Sequence, residues 1–519
     1  VTSQTSSIAV EIACDKEETK YLLEQAEIPV PKGDIIRSEE GLESALERIG
    51  FPVVIKPIDG NHGRGITTNI TNKENAITAF HAAKQVSRSV IVERFITGDD
   101  YRVLVINYKL VAAAKRTPAR VIGDGKLTIE KLIEEVNKHP KRGYGHEKVL
   151  TYITVDELTL TLLKNKNLTI QSVLKKGEIL DLKDTANLST GGTSEDVTDM
   201  VHPYNVFMCE RIARIIGLDI CGIDIMTTSL TEPLPDTNGA VIEVNAGPGF
   251  RMHLDPAEGL PRNIAAPVID MLFPPGEDFK IPIVAVTGTN GKTTTTRLIA
   301  HLLKLKGYKV GYTTTDGIYI QNRLLVTGDC TGPQSAEFVL KDPSVNFAVL
   351  ETARGGLLRA GLGFATCNVG VVTNVAADHL GLKGIQTIEQ LARVKGVVPE
   401  AVMQSGYAVL NADDDLVYNM RKDLKCNVAL FSMDEGNEKI KKHALSGGLS
   451  AIYENGYITI CKGEWKMRVA KAVNAPLTMG GRATFMIQNI LPAVLTAFVS
   501  GIKIEDIKVG LESFIPSPS

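Results

Sequence analysis

The sequence predicts a multidomain α/β chain: an α+β first part, then a P-loop domain built on a doubly wound, mostly parallel sheet. Three observations predict it. The chain has 519 residues, enough for about two to four domains with separate cores. Near its middle, "FPPGEDFKIP" at 273–282 interrupts every periodicity with three prolines and a glycine, the composition of a domain boundary. Beyond it the pattern runs strand, glycine loop, helix, strand, as "IPIVAVTG", "KTTTTRLIAHLLKLKG" and "YKVGYTT", the order of a parallel βαβ unit.

The composition, 44% hydrophobic and 23% charged, is that of an ordinary globular protein. A formal net charge of -3 gives no broad attraction to nucleic acid or to an anionic membrane, although "KHPKRGYGHEK" is locally basic enough to meet an acidic ligand. Seven cysteines, an odd number with no C-x-x-C pair, point to a reducing cytosol and away from a disulfide framework or a zinc site. No apolar run approaches the roughly 20 residues of a membrane span and no signal peptide opens the chain, so a cytoplasmic location is expected. The chain starts at Val1 and runs from a helical pattern into "FIPSPS", which reads as a fragment or as a chain whose two ends are not represented.

In the first part, "EETKYLLEQAEI" has apolar positions at helical spacing, and "PVVIKP" and "SVIVERFI" are short buried-strand patterns. "YRVLVI" and "LVAAAKR", joined by Asn107-Tyr108, read as a hairpin with one exposed face. Residues 119–190 form a long excursion with a helix, "TIEKLIEEVNK", and a basic, glycine-bearing loop. A helix, "YNVFMCERIARIIG", and two strands, "CGIDIMT" and "AVIEVNAGPG", close this part. In the second, "FAVLE", "NVGVVTNV", "YAVLNA" and "NVALFSM" are further strands, "AIYENGYITICKGEWKMRV" reads as a β-hairpin appendage, and "ATFMIQNILPAVLTAFVSG" as a mostly apolar helix. No internal repeat links the two parts.

The second part carries the plainer chemistry. In "GTNGKTTT", Gly288 and Gly291 let the backbone curl so that successive N–H groups from Gly288 through Thr289, Asn290 and Gly291 to Thr294 face inward, and the helix that follows offers its positive end to phosphate. Lys292 would reach the β/γ-phosphates and the Thr293 hydroxyl would hold Mg²⁺. A plain glycine turn between strand and helix is the other reading. Glu351 ends an apolar strand, where a carboxylate can meet the metal held by Thr293; His379, after "TNVAAD", is a candidate ligand for a second cation or a hydrogen-bonded structural histidine.

"GTNGKTTT", "ETARGG", "TNVAADHLG" and "LARVKG" resemble the central domain of the Mur ligases and folylpolyglutamate synthetases. Those enzymes make an acyl phosphate from a carboxylate and ATP, which an amine then attacks. The resemblance implies that Lys292 and Thr293 bind the triphosphate and that Glu351 and His379 bind Mg²⁺. It further implies that Lys395 is the often carbamylated, metal-bridging lysine and that Asn489 lies near the adenine. Arg482 stands where many relatives have histidine.

In the first part, "VVIKPIDGNHGRGI" places Lys56 at a strand end, within reach of an α- or β-phosphate, with Gly60, Gly63 and Gly65 forming a flexible cover. A hairpin loop with an exposed lysine is equally compatible with these residues alone. Asp224, Glu243 and Asn245 put two carboxylates and an amide oxygen on neighbouring strands, a set that suits Mg²⁺ bridging ATP phosphates. The combination resembles the ATP-grasp superfamily. That likeness implies Lys16 and Lys56 as the nucleotide lysines, Glu93 near the adenine, Asp100 near the ribose and His62 in the mobile glycine loop. Arg102 and Arg116 are the candidates for clamping a carboxylate or the transferring phosphoryl group, because a guanidinium fork matches both. "NLSTGG", with Ser189, Thr190, Gly191 and Gly192, offers hydroxyls and N–H groups to an anionic substrate. For Arg102 and the hydroxyl residues a solvated surface role is the alternative.

Together with "GHEKVLT", "ANLSTGGT", "GDCTGP" and "ETARGGLLRAGLG", an ATP-grasp unit ahead of a Mur-type unit resembles the cyanophycin synthetase family. The expected layout is an ATP-grasp domain over 1–273 with 119–190 as a lid or insertion, a linker over 274–282, and a Mur-like domain over 283–515. That family polymerises aspartate and arginine: the first site adds aspartate to the backbone C-terminus and the second adds arginine to its β-carboxylate. The resemblance thus implies ATP and Mg²⁺, free Asp and Arg, an Asp/Arg polymer or primer, and a homo-oligomer, with no nucleic acid or membrane partner. Relatives also have a small N-terminal domain and a third lobe, both expected to be missing here, the arginine-binding residues with the lobe. Two rivals are a polymerase of preformed aspartyl-arginine dipeptide, in which the second nucleotide site would have decayed, and a nucleotide-gated assembly module without ligase activity.

Overall fold

The structure is a computed structural model that describes residues 1–58, 65–145, 147–183, 185–377, 380–381 and 384–516. The chain divides into two compact units, Val1–Glu277 and Asp278–Ser519, so the division falls inside the proline-rich break.

The first unit contains two antiparallel sheets and a smaller α/β insertion. One sheet orders its strands Gly33–Ile36, Val90–Arg94, Val53–Pro57 and Thr67–Ile70, backed by helices Glu39–Ile49 and Lys73–Lys84. Leu42, Ala45, Leu46 and Ile49 recur at helical spacing and are all buried against this sheet. Ser38 caps that helix through the N–H of Gly41, and Gly50, at φ 72°, ends it. The second sheet runs Thr193–Asp196, Lys109–Thr117, Asp99–Ile106, Ile220–Thr227, Ala240–Asn245. Its predicted hairpin turns through Asn107 and Tyr108, both at positive φ, the backbone that a two-residue turn requires. Helices Ser7–Cys14, Lys16–Gln25 and Pro203–Ile216 share one core with this sheet.

The excursion over 119–190 has a core of its own, built from Val121, Ile129, Leu132, Ile133, Leu163 and Leu180 among others. Strands Arg120–Ile122 and Ile179–Asp181 pair within it, and helices Ile129–Asn137 and Glu157–Asn165 flank them.

Among the described residues the second unit is built on one sheet of eleven strands. Strand Ile283–Thr287 lies between Phe347–Glu351 and Cys367–Val372, parallel to both. Parallel pairing extends outward to Val310–Thr314 on one side and through Val402–Asn411 and Asn427–Ser432 to Leu449–Glu454 on the other. The stretch expected to be a hairpin appendage is instead part of the sheet: Leu449–Glu454 is its last parallel strand, and Tyr457–Lys462 and Trp465–Lys471 continue it in antiparallel fashion. Alternation along the chain identifies a hairpin but says nothing about the far side of its first strand, where the burial of Leu449 through Ile452 is set by tertiary pairing. At the opposite edge, Gly317–Ile320 and Arg323–Thr327 form a hairpin through Gln321 and Asn322, both at positive φ.

The predicted apolar helix starts at Ile487, after a short 3₁₀ turn at Thr484–Met486, and runs to Val499. Ile490 through Ala497 are all buried, so the helix reads apolar around its whole circumference because it packs into the main core. Among the described residues no helix is long and apolar enough to cross a membrane, and all seven cysteines are free thiols.

Candidate active sites

In the first unit the central sheet sets the geometry. Register places Asp100 opposite Arg116 and Arg102 opposite Asp224 on adjacent strands. Cross-strand neighbours on one face touch, and here they form a chain of alternating charge. Arg102 donates from Nε and Nη2 to the two oxygens of Asp224. Arg116 Nη2 lies 3.0 Å from Asp224 Oδ2 and 2.6 Å from Asp100 Oδ1. Arg102, Arg116 and Asp224 are buried, which settles against a solvated surface role for Arg102. Burial pushes the Asp100 carboxyl up, with Arg116 opposing.

Lys56, on strand Val53–Pro57, and Lys20, on helix Lys16–Gln25, both donate to Glu93, at 2.8 and 3.2 Å. Burial would raise the Glu93 carboxyl, but the two lysines outweigh it and hold it below its ordinary value. Gly33 makes room for this trio, since a Cβ there would come within 2.7 Å of Glu93 Cγ and 2.8 Å of Lys20 Nζ. Lys16, the other lysine that the resemblance implies for the nucleotide, reaches Glu243 Oε1 at 3.3 Å from a solvated position. Helical spacing put Lys16 and Lys20 on the same face, and only the tertiary structure separates their partners. Glu243 lies opposite Asp224, and the buried Asn245 Nδ2 has no hydrogen-bond partner. The two carboxylates and the Asn245 amide oxygen are hard donors of the kind Mg²⁺ takes, and the orphaned Nδ2–H, a hydrogen-bond donor, suits an anionic oxygen such as that of a phosphate.

The loop expected to offer donors to substrate uses most of them itself. The N–H groups of Thr190 and Gly192 and the Thr190 hydroxyl all donate to Asn187 O, and the Gly191 N–H donates to Leu188 O. A 3₁₀ turn of three residues consumes its own N–H groups, which leaves Ser189 as the exposed hydroxyl. Gly191, at φ 95°, packs where a Cβ would meet Ile153, and the buried Arg142 holds its carbonyl at 3.0 Å. Of the glycine cover only Gly65 is described, at φ 75°; Gly60, His62 and Gly63 lie outside the described residues.

In the second unit the P-loop follows the strand at the sheet's centre, at its C-terminal end, where open α/β sheets bind ligands. Gly288 and Gly291 have φ 146° and 81°. A Cβ at Gly288 would overlap the Thr373 hydroxyl, and one at Gly291 would overlap Asn489. Asn374 braces the loop: its carbonyl accepts from Thr289 N at 2.8 Å, its Oδ1 from Asn290 N at 2.9 Å, and its Nδ2 donates to Asn290 O at 3.1 Å. Helix Lys292–Leu305 has no side-chain cap at its N-terminus, so its orphan N–H groups and positive dipole end remain for an anion.

Lys292 Nζ donates to Thr289 O at 2.9 Å, and the Thr293 hydroxyl donates to Glu351 Oε2 at 2.8 Å. Glu351 is 2% exposed and its Oε1 has no partner. Burial pushes its carboxyl up, Thr293 and Lys292 opposing. A buried, half-used carboxylate against a threonine hydroxyl is an oxygen donor set of the kind Mg²⁺ takes. Lys395 is also buried, with Nζ 2.7 Å from Gly288 O. Burial, and then the charges of Lys292 and Arg354, push its ammonium down to about 7. His379 lies outside the described residues. Among the described residues no group of three or more His, Cys, Asp and Glu side chains converges on one point.

With this geometry in place, the comparisons agree on its two halves. Residues 13–123 match the RimK-like ATP-grasp domain and residues 286–497 the Mur ligase middle domain. The chain is 55% identical over 520 residues to the cyanophycin synthetase of Trichormus variabilis, covering 100% of this chain and 58% of that protein. It is 58% identical over 510 residues to that of Crocosphaera subtropica, covering 98% of this chain and 58% of that protein. A glutathione biosynthesis bifunctional protein GshAB from Clostridium perfringens is 35% identical over 275 residues, 52% of this chain and 35% of its own length. The chain therefore carries a RimK-like ATP-grasp domain followed by a Mur ligase middle domain, and it spans 58% of the length of these cyanophycin synthetases.

Proposed function

From the two domains and the similarity along the whole chain, we propose that this protein is the ATP-dependent, two-site ligase portion of a cyanophycin synthetase. Each site joins a carboxylate to an amine: the carboxylate attacks the γ-phosphorus of ATP to give an acyl phosphate and ADP, and the amine then displaces phosphate to form the amide. A carboxylate is a poor electrophile at neutral pH, and phosphorylation supplies the leaving group. The first site adds aspartate to the backbone C-terminus, and the second adds arginine to the aspartate β-carboxylate. Its substrates are the two amino acids and an Asp/Arg primer or polymer, and it works as a homo-oligomer in the cytoplasm.

In the first site Lys16, Lys20 and Lys56 meet the phosphates, with Glu93 and Asp100 on the nucleoside side. Arg102 and Arg116 grip the acceptor carboxylate or the transferring phosphoryl group. Asp224, Glu243 and Asn245 would hold Mg²⁺ there. Thr293 and Glu351, with His379, would hold it in the second site, where Lys292 meets the triphosphate, Lys395 serves as the bridging lysine and Asn489 lies near the adenine. Bound Mg²⁺ would neutralise the charge that develops on the phosphate oxygens.

One observation carries the two-site reading over the dipeptide polymerase: the second cradle is intact, from Gly288 and Gly291 through Lys292 to the Thr293–Glu351 hydrogen bond. The test is phosphate release from the full-length protein with primer and each amino acid separately. Lys292→Ala is expected to abolish arginine-dependent release and leave aspartate-dependent release largely intact, and Lys56→Ala to do the reverse. If neither amino acid stimulates release in the unmodified protein, the synthetase reading is wrong.

A further inference from the structure

Three strands at one edge of the second unit's sheet are joined by two-residue turns, and the two turns differ. Gln321 and Asn322 join Gly317–Ile320 to Arg323–Thr327 with both residues at positive φ, the backbone that matches the twist of paired strands. Thr315 and Asp316 join Val310–Thr314 to Gly317–Ile320 with neither at positive φ. A turn of that kind gains nothing from strand twist, so side-chain contacts must hold it.

Asp316 supplies them. Its Oδ1 accepts from the Thr314 hydroxyl at 2.5 Å, and its Oδ2 accepts from the Tyr319 hydroxyl at 2.7 Å and from Arg297 Nη2. Tyr319 is itself fixed by stacking on Tyr312, with ring centroids 4.7 Å apart, and its oxygen accepts from Arg297 Nη2 at 3.3 Å. Burial would raise the Asp316 carboxyl, but the two hydroxyls and the charge of Arg297 outweigh it and hold it below its ordinary value.

Arg297 reaches this turn from the helix of the P-loop. It lies one turn after Thr293 on helix Lys292–Leu305, so the two share a face. That face meets the turn at both of its residues: Thr293 Oγ1 lies 3.2 Å from Thr315 Oγ1, and Arg297 pairs with Asp316. Thr315 in turn donates its N–H to Glu351 Oε2 at 3.3 Å, the same oxygen that accepts from the Thr293 hydroxyl at 2.8 Å. A carboxylate held through one oxygen by donors on two separate elements cannot turn without giving up both bonds. The buried Oε1 is thereby kept without a protein partner.

We propose that Arg297 and Asp316 are positioning residues for the second site. Their ion pair fixes the Thr315 turn against the P-loop helix, and through the Thr315 N–H it fixes the orientation of Glu351 beside Thr293. The inference rests on the two-site reading above and deepens it. A partly exposed ion pair that served only the edge hairpin would contribute little, and its loss would not register in the rate of one reaction alone.

The experiment uses the full-length protein with primer, and arginine-dependent phosphate release by the unmodified protein is measured first. Its absence overturns the two-site reading, and this inference with it; with that signal present, the variants test the inference alone. Arg297→Met keeps the aliphatic stem and removes the charge. It is expected to lower the arginine-dependent kcat about 10- to 100-fold, the scale seen when partners that orient a ligating side chain are removed. The KM for ATP, the thermal midpoint and aspartate-dependent release should stay unchanged. Arg297→Lys, which keeps a cation opposite Asp316, is expected to recover most of the loss. Asp316→Asn should lose about as much as Arg297→Met, and the double variant no more than either, because both cut the same chain of contacts. The role is overturned by an unchanged kcat in Arg297→Met or by single losses that multiply in the double variant. A lowered thermal midpoint with a loss that Arg297→Lys does not recover overturns it as well.

Discussion

The two candidate sites solve the same electrostatic problem in opposite ways. In the first unit the charged groups are side chains on sheet strands and a helix, and they neutralise one another: Arg102 and Arg116 with Asp224 and Asp100, Lys20 and Lys56 with Glu93, Lys16 with Glu243. In the second the phosphate cradle is backbone, shaped by Gly288 and Gly291 and braced by Asn374. Its buried carboxylate among the described residues, Glu351, keeps an oxygen unpaired. Isolated buried charges are costly, so a site made of side chains must pair them before any ligand arrives. Backbone N–H groups carry only partial charge, and a site made of them can stand open.

This contrast predicts different consequences of damage. The largest effect belongs to Gly291→Ala, which forces a side chain into φ 81° and onto Asn489. Arginine-dependent phosphate release should fall about 100- to 1,000-fold through loss of preorganised donors, with aspartate-dependent release retained. Comparable retention of both activities would mean that the backbone cradle is not the binding element.

The next effect is on stability and differs in sign between the units. Asp224→Ala strands two buried guanidinium groups and should destabilise the first unit by about 3–5 kcal/mol in denaturant unfolding. Glu351→Gln removes a buried charge while its amide oxygen still accepts from Thr293, so it should leave the second unit as stable or more so while abolishing arginine-dependent release. The pH dependence follows from the raised Glu351 pKa. Between the ordinary value of 4.5 and the higher folded value, the unfolded chain has already lost the proton that the folded state retains. Stability therefore falls as pH rises through that window, and Glu351→Gln should flatten the slope. A steeper slope in the variant would contradict the burial of that charge.

The smallest effect tests the lysines. Lys20→Met removes one of the two cations on Glu93 and should raise the KM for ATP in aspartate-dependent release by about tenfold, the scale of one charge-assisted hydrogen bond. An effect confined to Lys16→Met would return the second nucleotide lysine to the position that the motif suggests.

Much of this was legible along the chain because it is local. The glycine loop, its lysine and threonine, the paired strands and the proline-rich break are encoded by spacing over a few residues, where φ restrictions and side-chain period act directly. Asn107-Tyr108 is such a case, and its turn has the predicted place and the backbone its strands demand. Some of the missed features depend on a partner distant in sequence. Lys20 shares Glu93 although 73 residues separate them. The Gly191 loop was read as a set of open donors because its composition does not say that the turn closes on Asn187.

By itself the amino-acid sequence determined the two kinds of candidate site, the order in which they occur and the residue types in them, since these follow from backbone freedom and local periodicity. Only the tertiary structure decided which charges face one another, which acceptors are left without donors, and that Leu449–Glu454 continues the parallel sheet. Those outcomes depend on strand register and burial, and both are set by packing between segments that the linear pattern does not connect.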